Sequence, residues 1–337
     1  MRAMELQHFG PGGLVVRERP LPLPGAGEVR LRVTACSLNY RDWLMTCGTY
    51  NPRQPLPLVP LSDGVGVIDA VGPGVTARQV GERVIALFHQ SWADGEASAE
   101  QLRATLGGPL DGMLREYAVL PAAGVLPVPG YLSDVEAATL PCAALTAWTA
   151  LVTQGHLRAG DTVLIQGTGG VSLFALQICV LMGARAVVLS SSDAKLARAK
   201  AMGAWQTLNY VAQPAWGKAV LQLTGGVDHV VEVGGGQTFG QSLQATRPHG
   251  HIAVIGVLSG AQPDATLLPI LMKNLRVLGV MVGHAAGMRA LLRAFEAGRV
   301  RPVVERVLPW LQAEAALAEL ATGRHVGKLA LRIEATG

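Results

Sequence analysis

Two stretches of the chain carry residue types that can do chemistry. CSLNYRDW, residues 36–43, offers a thiol, an amide, a phenol, a guanidinium and a carboxylate within eight positions. Such a set could ligate a metal, serve a reacting oxygen with protons and hydrogen bonds, or simply open a helix. Asn39 and Asp42, three apart, match a variant of the capping box, in which the third helical residue reaches back to the N-cap N–H. They equally suit an amide and a carboxyl aimed at a substrate. Tyr40 can donate a hydrogen bond or a proton to a substrate oxygen, or bury its ring and satisfy its hydroxyl locally. Arg41 reads as a surface residue, Trp43 as core, and Cys36 and Cys47 as core thiols.

The second stretch is Gly167-Thr168-Gly169-Gly170-Val171-Ser172. Gly167 allows a tight turn, and Gly169 lets the backbone approach a pyrophosphate seated on the following helix N-terminus. Ser172 stands at the third glycine position and is small enough to adjust helix–strand packing without loss of binding. Strand, turn, helix and next strand follow in order, so a dinucleotide site is expected. AVVLSSSDAKLAR then closes the second strand. An NAD site usually has Asp or Glu here for the ribose hydroxyls, but this chain has Ser190, then Ser191, Lys195 and Arg198. A cation about 4 Å from a 2′-phosphate gains ~4 kcal/mol gross at an effective dielectric of 20, and a carboxylate would reverse the sign. NADPH is therefore expected over NADH. Ser190 carries more of that expectation than the two cations, which also suit a solvated helix face. Asp193 reads as an N-cap.

These residues need elements to hold them. Up to about residue 125 the chain is dense in short alternating runs broken by Gly and Pro: EVRLRVTA, VGVIDAVGPG, GERVIALF and REYAVLP. They predict a small β-barrel-like domain. From about residue 134, TVLIQ, AVVLS, DHVVEV and HIAVIGV alternate with helical stretches, which predicts βαβ units and a doubly wound parallel sheet. The tail carries two helices, GMRALLRAFEAG and AEAALAELATG, and a terminal strand, KLALRI.

Composition narrows the class. The 337 residues, 50% of them hydrophobic, suffice for two domains. The net charge of +4 comes from scattered residues and aromatics are only 5%, so no nucleic-acid partner is expected. The longest apolar run, VSLFALQICVLM, is too short to span a bilayer. No apolar leader follows Met1. The four cysteines form no close framework and read as free thiols of a reducing compartment. A cytoplasmic protein with no membrane partner is expected.

Taken together, SLNYRD, GERV, LPCAALTAW, GTGGV, AMGA, LNY and HVGKLAL resemble, in this order, the medium-chain dehydrogenase/reductase superfamily. The resemblance implies an α/β fold: a GroES-like β-barrel substrate domain over residues 1–125 and 269–337, split around a Rossmann NADP-binding domain over 126–268. It implies an active site in the cleft between the domains and a homodimer or a dimer of dimers, with RVLGVMVG as the strand pairing sheets across the dimer. Zinc-dependent members ligate the catalytic metal with Cys, His and Cys. Asn39, Ser62 and Cys142 stand at those positions here, and one thiolate cannot make a tetrahedral site. Residues 90–112 lack the cysteines of a structural zinc lobe. His249 and His251 read as a solvent-facing turn, and His89 as lone. No metal is expected.

What remains resembles the zinc-independent, quinone oxidoreductase-like branch. By that resemblance Asn39, Asp42 and Tyr50 line the nicotinamide and substrate, and Thr146 lies near the nicotinamide. Tyr210 matches a residue beside the adenosine 2′-phosphate. Ile255, Gly256, Val257, Val280, Val282 and Lys328 match cofactor contacts. Leu44 replaces a tyrosine of some quinone reductases. The expected function is NADPH-dependent reduction of a small activated alkene or quinone. Two other readings stay open: a metal-free NADP-dependent alcohol dehydrogenase or carbonyl reductase, and a non-catalytic NADPH-binding protein.

Overall fold

In the computed structural model, which describes residues 1–263 and 265–334, the chain divides into two units, Met1–Leu145 with Gly283–Gly337 and Thr146–Val282. The first unit opens with an antiparallel pair, β1 (Arg2–Leu6) and β2 (Leu14–Glu18). β3 (Glu28–Ser37), β4 (Asp63–Val71), β5 (Arg83–Ala86), β6 (Tyr117–Pro121) and β7 (Val125–Pro127) follow. In β3, Val29, Leu31 and Val33 are buried while Arg32 is exposed, the period-two pattern of a strand with one face on a core. From Ala35 to Ser37 every residue is buried, because the strand there runs into the interior.

The second unit holds β8 (Thr162–Gln166), β9 (Arg185–Ser190), β10 (Gln206–Asn209), β11 (Val227–Glu232), β12 (Thr246–Val254) and β13 (Arg276–Gly279). The chain then returns to the first unit for β14 (Val304–Pro309) and β15 (Lys328–Arg332). The first unit's large sheet runs β14-β15-β3-β4-β5-β7, with β6 also pairing β3. The second unit's sheet is parallel throughout, in the order β10-β9-β8-β11-β12-β13. All five residues of TVLIQ are buried, as in a parallel strand with both faces covered. The strand order reverses between β8 and β11, and in such sheets ligands bind beyond the carboxyl ends at that reversal. Among the described residues, no helix is long and apolar enough to cross a membrane.

The unit boundaries lie later than the expected borders after residues 125 and 268. β7 still pairs with β5, and Asp134 accepts hydrogen bonds from Thr34 and Arg83, so the chain stays with the first unit up to Leu145. β13 pairs with β12, which keeps residues up to Val282 in the second. The change of sequence rhythm marks where the strand pattern stops, and contacts persist beyond it.

His251 is also corrected. His249 is exposed, at φ 61°, but His251 is fully buried, because β12 from that residue on lies between β11 and β13. Its Nδ1 lies 3.5 Å from His229 Nδ1, and His229 Nε2 lies 3.2 Å from Asp161 Oδ2. Burial, then the neighbouring His229, Arg276 and His156, push the His251 pKa down from 6.5 to about 4. The folded state thus binds the proton less readily than the unfolded one. Its stability contribution is intact above pH 6.5 and is lost as pH falls toward 4. Denaturant unfolding at pH 7 and pH 5 is expected to show about 2 kcal/mol lost to this group. His251→Asn should flatten that part of the acid limb.

Candidate active site

SLNYRD folds as expected of a strand leaving the barrel and starting a helix. Asn39 is extended (φ −126°, ψ 153°) and caps the helix Tyr40–Thr46, and Asp42 Oδ2 accepts the Asn39 N–H at 2.8 Å. The capping reading of Asp42 therefore holds. The side chain of Asn39 goes elsewhere. Its Oδ1 accepts from Lys328 Nζ at 2.5 Å, and its Nδ2 donates to Ser62 Oγ at 3.3 Å. Lys328 Nζ also donates to Leu38 O at 2.5 Å and lies 4.0 Å from Asp63 Oδ2. Ser62 Oγ donates to Asp63 Oδ1 at 2.9 Å. Asn39, Asp42, Ser62, Asp63 and Lys328 are all buried, Lys328 to 3% exposure.

The electrostatics follow from that burial. Desolvation pushes Asp42 up to about 6 against the pull of Arg41, and Asp63 adds to the rise. Asp63 is also raised by burial, while Lys328, Asn39, Ser62 and the Cys142 backbone N–H hold it back. Burial and the Asp63 charge push the Cys142 thiol far up, so it stays protonated at neutral pH.

Around this group the tyrosines stay outside. Tyr40 is 37% exposed, its ring centroid 5.3 Å from that of Trp43, and Tyr50 is exposed too. Arg41 is no surface residue. Its guanidinium is buried 5.0 Å from the Tyr50 ring and 4.8 Å from Phe88, and it donates to Leu106 O and Gly108 O at 3.0 Å each. It thereby ties the 105–108 backbone to the helix, a role its spacing could not reveal. Cys36 is core as expected, but Cys47, at the helix C-cap, is exposed. His89 is buried edge-on to Phe88 and Trp92 and lines a separate cavity of about 520 Å³ that none of the Asn39 group touches.

In the second unit the phosphate-binding turn forms as the spacing implied. Gly167 adopts φ 77°, a conformation that favours glycine, and Gly169 caps the helix that begins at Gly170 and Val171. Ser172 Oγ donates to Gln166 O at 2.7 Å, which is how serine serves at the third glycine position. Ser190 ends β9, its Oγ accepting the Ser192 N–H at 3.3 Å, and its carbonyl accepts the Tyr210 N–H at 3.1 Å. Ser191 is exposed and Lys195 half-buried on the next helix. Ser192, and not Asp193, caps that helix, while Asp193 accepts from Asn209 Nδ2. Ile255 and Gly256 bond back to Glu232 O, and Val280 to Val254 O. Val257 is exposed. Val282, β-branched, sits at φ 57°, a strained conformation that costs of order 1–3 kcal/mol and is typical of functional loops. Thr146 is buried in the helix Leu145–Trp148, between two π-helical turns, 140–144 and 149–153.

Two residues that sequence reasoning missed stand at the strand-order reversal. Glu232 ends β11, fully buried, and its Oε1 accepts from the Gly234 and Gly235 N–H groups and from Thr238 Oγ. Its Oε2 accepts from Ser242 Oγ and from Gln166 Nε2, the latter 2.7 Å away at the end of β8. Gln166 Oε1 in turn accepts from Val233 and Gly234. Glu232→Ala would remove the carboxylate that accepts from five donors, leaving the Gly235 N–H and the Ser242 hydroxyl without another acceptor. We expect it to cost roughly 3 kcal/mol or more in denaturant unfolding and to weaken the binding of a nicotinamide dinucleotide in a fluorescence titration.

Comparison with known proteins decides the family. Residues 25–130 match the alcohol dehydrogenase GroES-like domain, and residues 170–297 match the zinc-binding dehydrogenase domain. The zinc-type alcohol dehydrogenase-like protein C1773.06c of Schizosaccharomyces pombe is 40% identical over 316 residues, 91% of each chain. The chain belongs to the medium-chain dehydrogenase/reductase superfamily. Among solved structures of this superfamily, an NAD-dependent alcohol dehydrogenase aligns at TM-score 0.91 and 37% identity over 99% of this chain and 100% of that one. The 2-octenoyl-CoA carboxylase reductase CinF, in complex with NADP and 2-octenoyl-CoA, aligns at 0.85 and 28% over 95% and 82%.

A medium-chain dehydrogenase domain described as zinc-binding raises the question of fit. At the positions that the family resemblance assigns to the Cys, His and Cys of zinc-dependent members, Asn39, Ser62 and Cys142 offer an amide, a hydroxyl and one thiol, and the amide oxygen is taken by an ammonium. Zinc favours sulfur and imidazole donors, and one sulfur with no imidazole cannot complete a tetrahedral site. These residues do not fit a catalytic zinc.

Proposed function

We propose that the protein is an NADPH-dependent oxidoreductase that reduces a small activated alkene or quinone without a metal. The observation that carries the reading is the buried Asn39–Lys328–Asp63 group, which includes Asn39, the residue that the family resemblance matches to the first zinc ligand of zinc-dependent members. A bound nicotinamide supplies the hydride. The protein's own task is then to stabilise the charge that develops on the substrate carbonyl oxygen. Hydrogen-bond donors oriented in a dry site can contribute several kcal/mol to that. Asn39 Nδ2, the Tyr40 hydroxyl and the Thr146 hydroxyl are the candidate donors, and Tyr40 is the one exposed to solvent. Hydride addition to the β-carbon of an enone spreads the charge over an enolate, whereas an isolated carbonyl concentrates it on one oxygen, where a Lewis acid matters most. The NADP and 2-octenoyl-CoA bound to CinF support both the cofactor and the acceptor class. Ser190, with no acid at the end of β9, supports NADPH further.

The alcohol dehydrogenase names of the S. pombe relative and of the NAD-dependent structure favour a second reading, a metal-free alcohol dehydrogenase or carbonyl reductase. NADPH oxidation by chelator-treated protein against a panel of enones, enals, quinones and simple ketones separates the two. Turnover of enones or quinones supports the first reading; turnover confined to ketones or alcohols replaces it with the second.

A homodimer belongs to the same proposal. β13 is the terminal strand of its sheet, and Leu267, Leu268, Leu271 and Met272 beside it are exposed. Light scattering at twice 35.3 kDa is the expected result.

A further inference from the structure

We propose that Lys328 is a positioning residue of the reducing site: its ammonium clamps the Asn39 amide oxygen, so that the amide N–H end is presented to the substrate oxygen, and it balances the Asp63 carboxylate. The inference rests on the reductive reading above and departs from the cofactor contact that family resemblance implies for this lysine. It is carried by three observations. Lys328 is buried to 3% exposure, and its Nζ is spent on Leu38 O and Asn39 Oδ1 at 2.5 Å each. A flipped Asn39 amide would set its two N–H donors against an ammonium with no acceptor to offer, so the amide has one orientation. The N–H end of that amide makes a long bond, 3.3 Å, to Ser62 Oγ and also faces the Asp63 carboxylate, and a substrate oxygen that becomes anionic competes for it as a charge-assisted partner.

The buried group thus holds one organic cation, one carboxylate and neutral donors. The cation does not touch the reacting atoms; it acts through Asn39.

The test compares Lys328→Met and Lys328→Arg in three measurements. With an acceptor that the wild type turns over, Lys328→Met is expected to lower kcat about 100-fold, leave the NADPH Kd within threefold, and raise the isotope effect with 4-deuterated NADPH as hydride transfer becomes limiting. Lys328→Arg should restore kcat to within tenfold. A weakened NADPH Kd with unchanged kcat would make Lys328 a cofactor contact and overturn the proposal, as would no change in either. The third measurement needs no turnover. The side-chain amide resonances of Asn39, identified by their loss in Asn39→Asp, should be sharp in the wild type and in Lys328→Arg and broadened by flipping in Lys328→Met. Unchanged resonances overturn the proposal even if no acceptor is found, so its failure and that of the reductase reading are distinguishable. Should Lys328→Met not fold, the same spectra are taken in the Asp63→Asn background, where removing the cation leaves no unbalanced Asp63 carboxylate.

Discussion

Asn39→Ala is expected to lower kcat for enone or quinone reduction by two to three orders of magnitude, with the NADPH Kd nearly unchanged. Removing one well-placed donor to a developing oxyanion typically costs about 10²–10³ in kcat. The donor here sits in a buried group, where its interaction with charge is stronger than in water. Because the interaction grows only as the oxygen becomes anionic, the loss should appear equally in kcat and kcat/KM. The substitution also deprives Lys328 of an acceptor, so about 1–3 kcal/mol of unfolding free energy should go with it. Asn39→Asp is the sharper control: it keeps an acceptor for Lys328 but offers no N–H. Full activity in Asn39→Asp would remove the amide from the mechanism, whatever the alanine variant does.

Ser190→Asp should collapse the proposed preference for NADPH. Ser190 is buried at the carboxyl end of β9, with Tyr210 hydrogen-bonded to its carbonyl. A carboxylate there would stand where an NAD-type acid meets the ribose hydroxyls and would repel a 2′-phosphate. At about 4 Å and an effective dielectric of 20 the gross repulsion is ~4 kcal/mol per unit charge. After screening by water and salt, a fall of roughly 10²-fold or more in the ratio of kcat/KM for NADPH over NADH remains. Side-by-side kinetics with the two cofactors measure it. Equal use of both cofactors by the wild type would remove the premise.

Several features were legible because they are local. Alternation in EVRLRVTA and the continuous apolar run of TVLIQ report which faces are buried, and both strands form as read. Glycine spacing in GTGGV reports backbone conformation directly, and Gly167 indeed takes a positive φ. The Asn39–Asp42 capping interaction spans three residues, so short-range chemistry suffices to read it.

The identity of long-range partners was not legible. Lys328 lies 289 positions from the Asn39 it clamps, and Glu232 meets Gln166 across 66. Periodicity says that a side chain points inward; it does not say which polar group waits there. Arg41 read as surface because arginine usually is, yet ring faces and backbone carbonyls from elsewhere in the chain make its burial tolerable. His251 read as a turn residue until β11 and β13 closed on both sides of it. The sequence by itself determined the strands, the phosphate turn and the superfamily, since each rests on spacing along the chain. The tertiary structure alone decided which charge balances which in the buried site, because that depends on groups that only folding brings within a few ångströms.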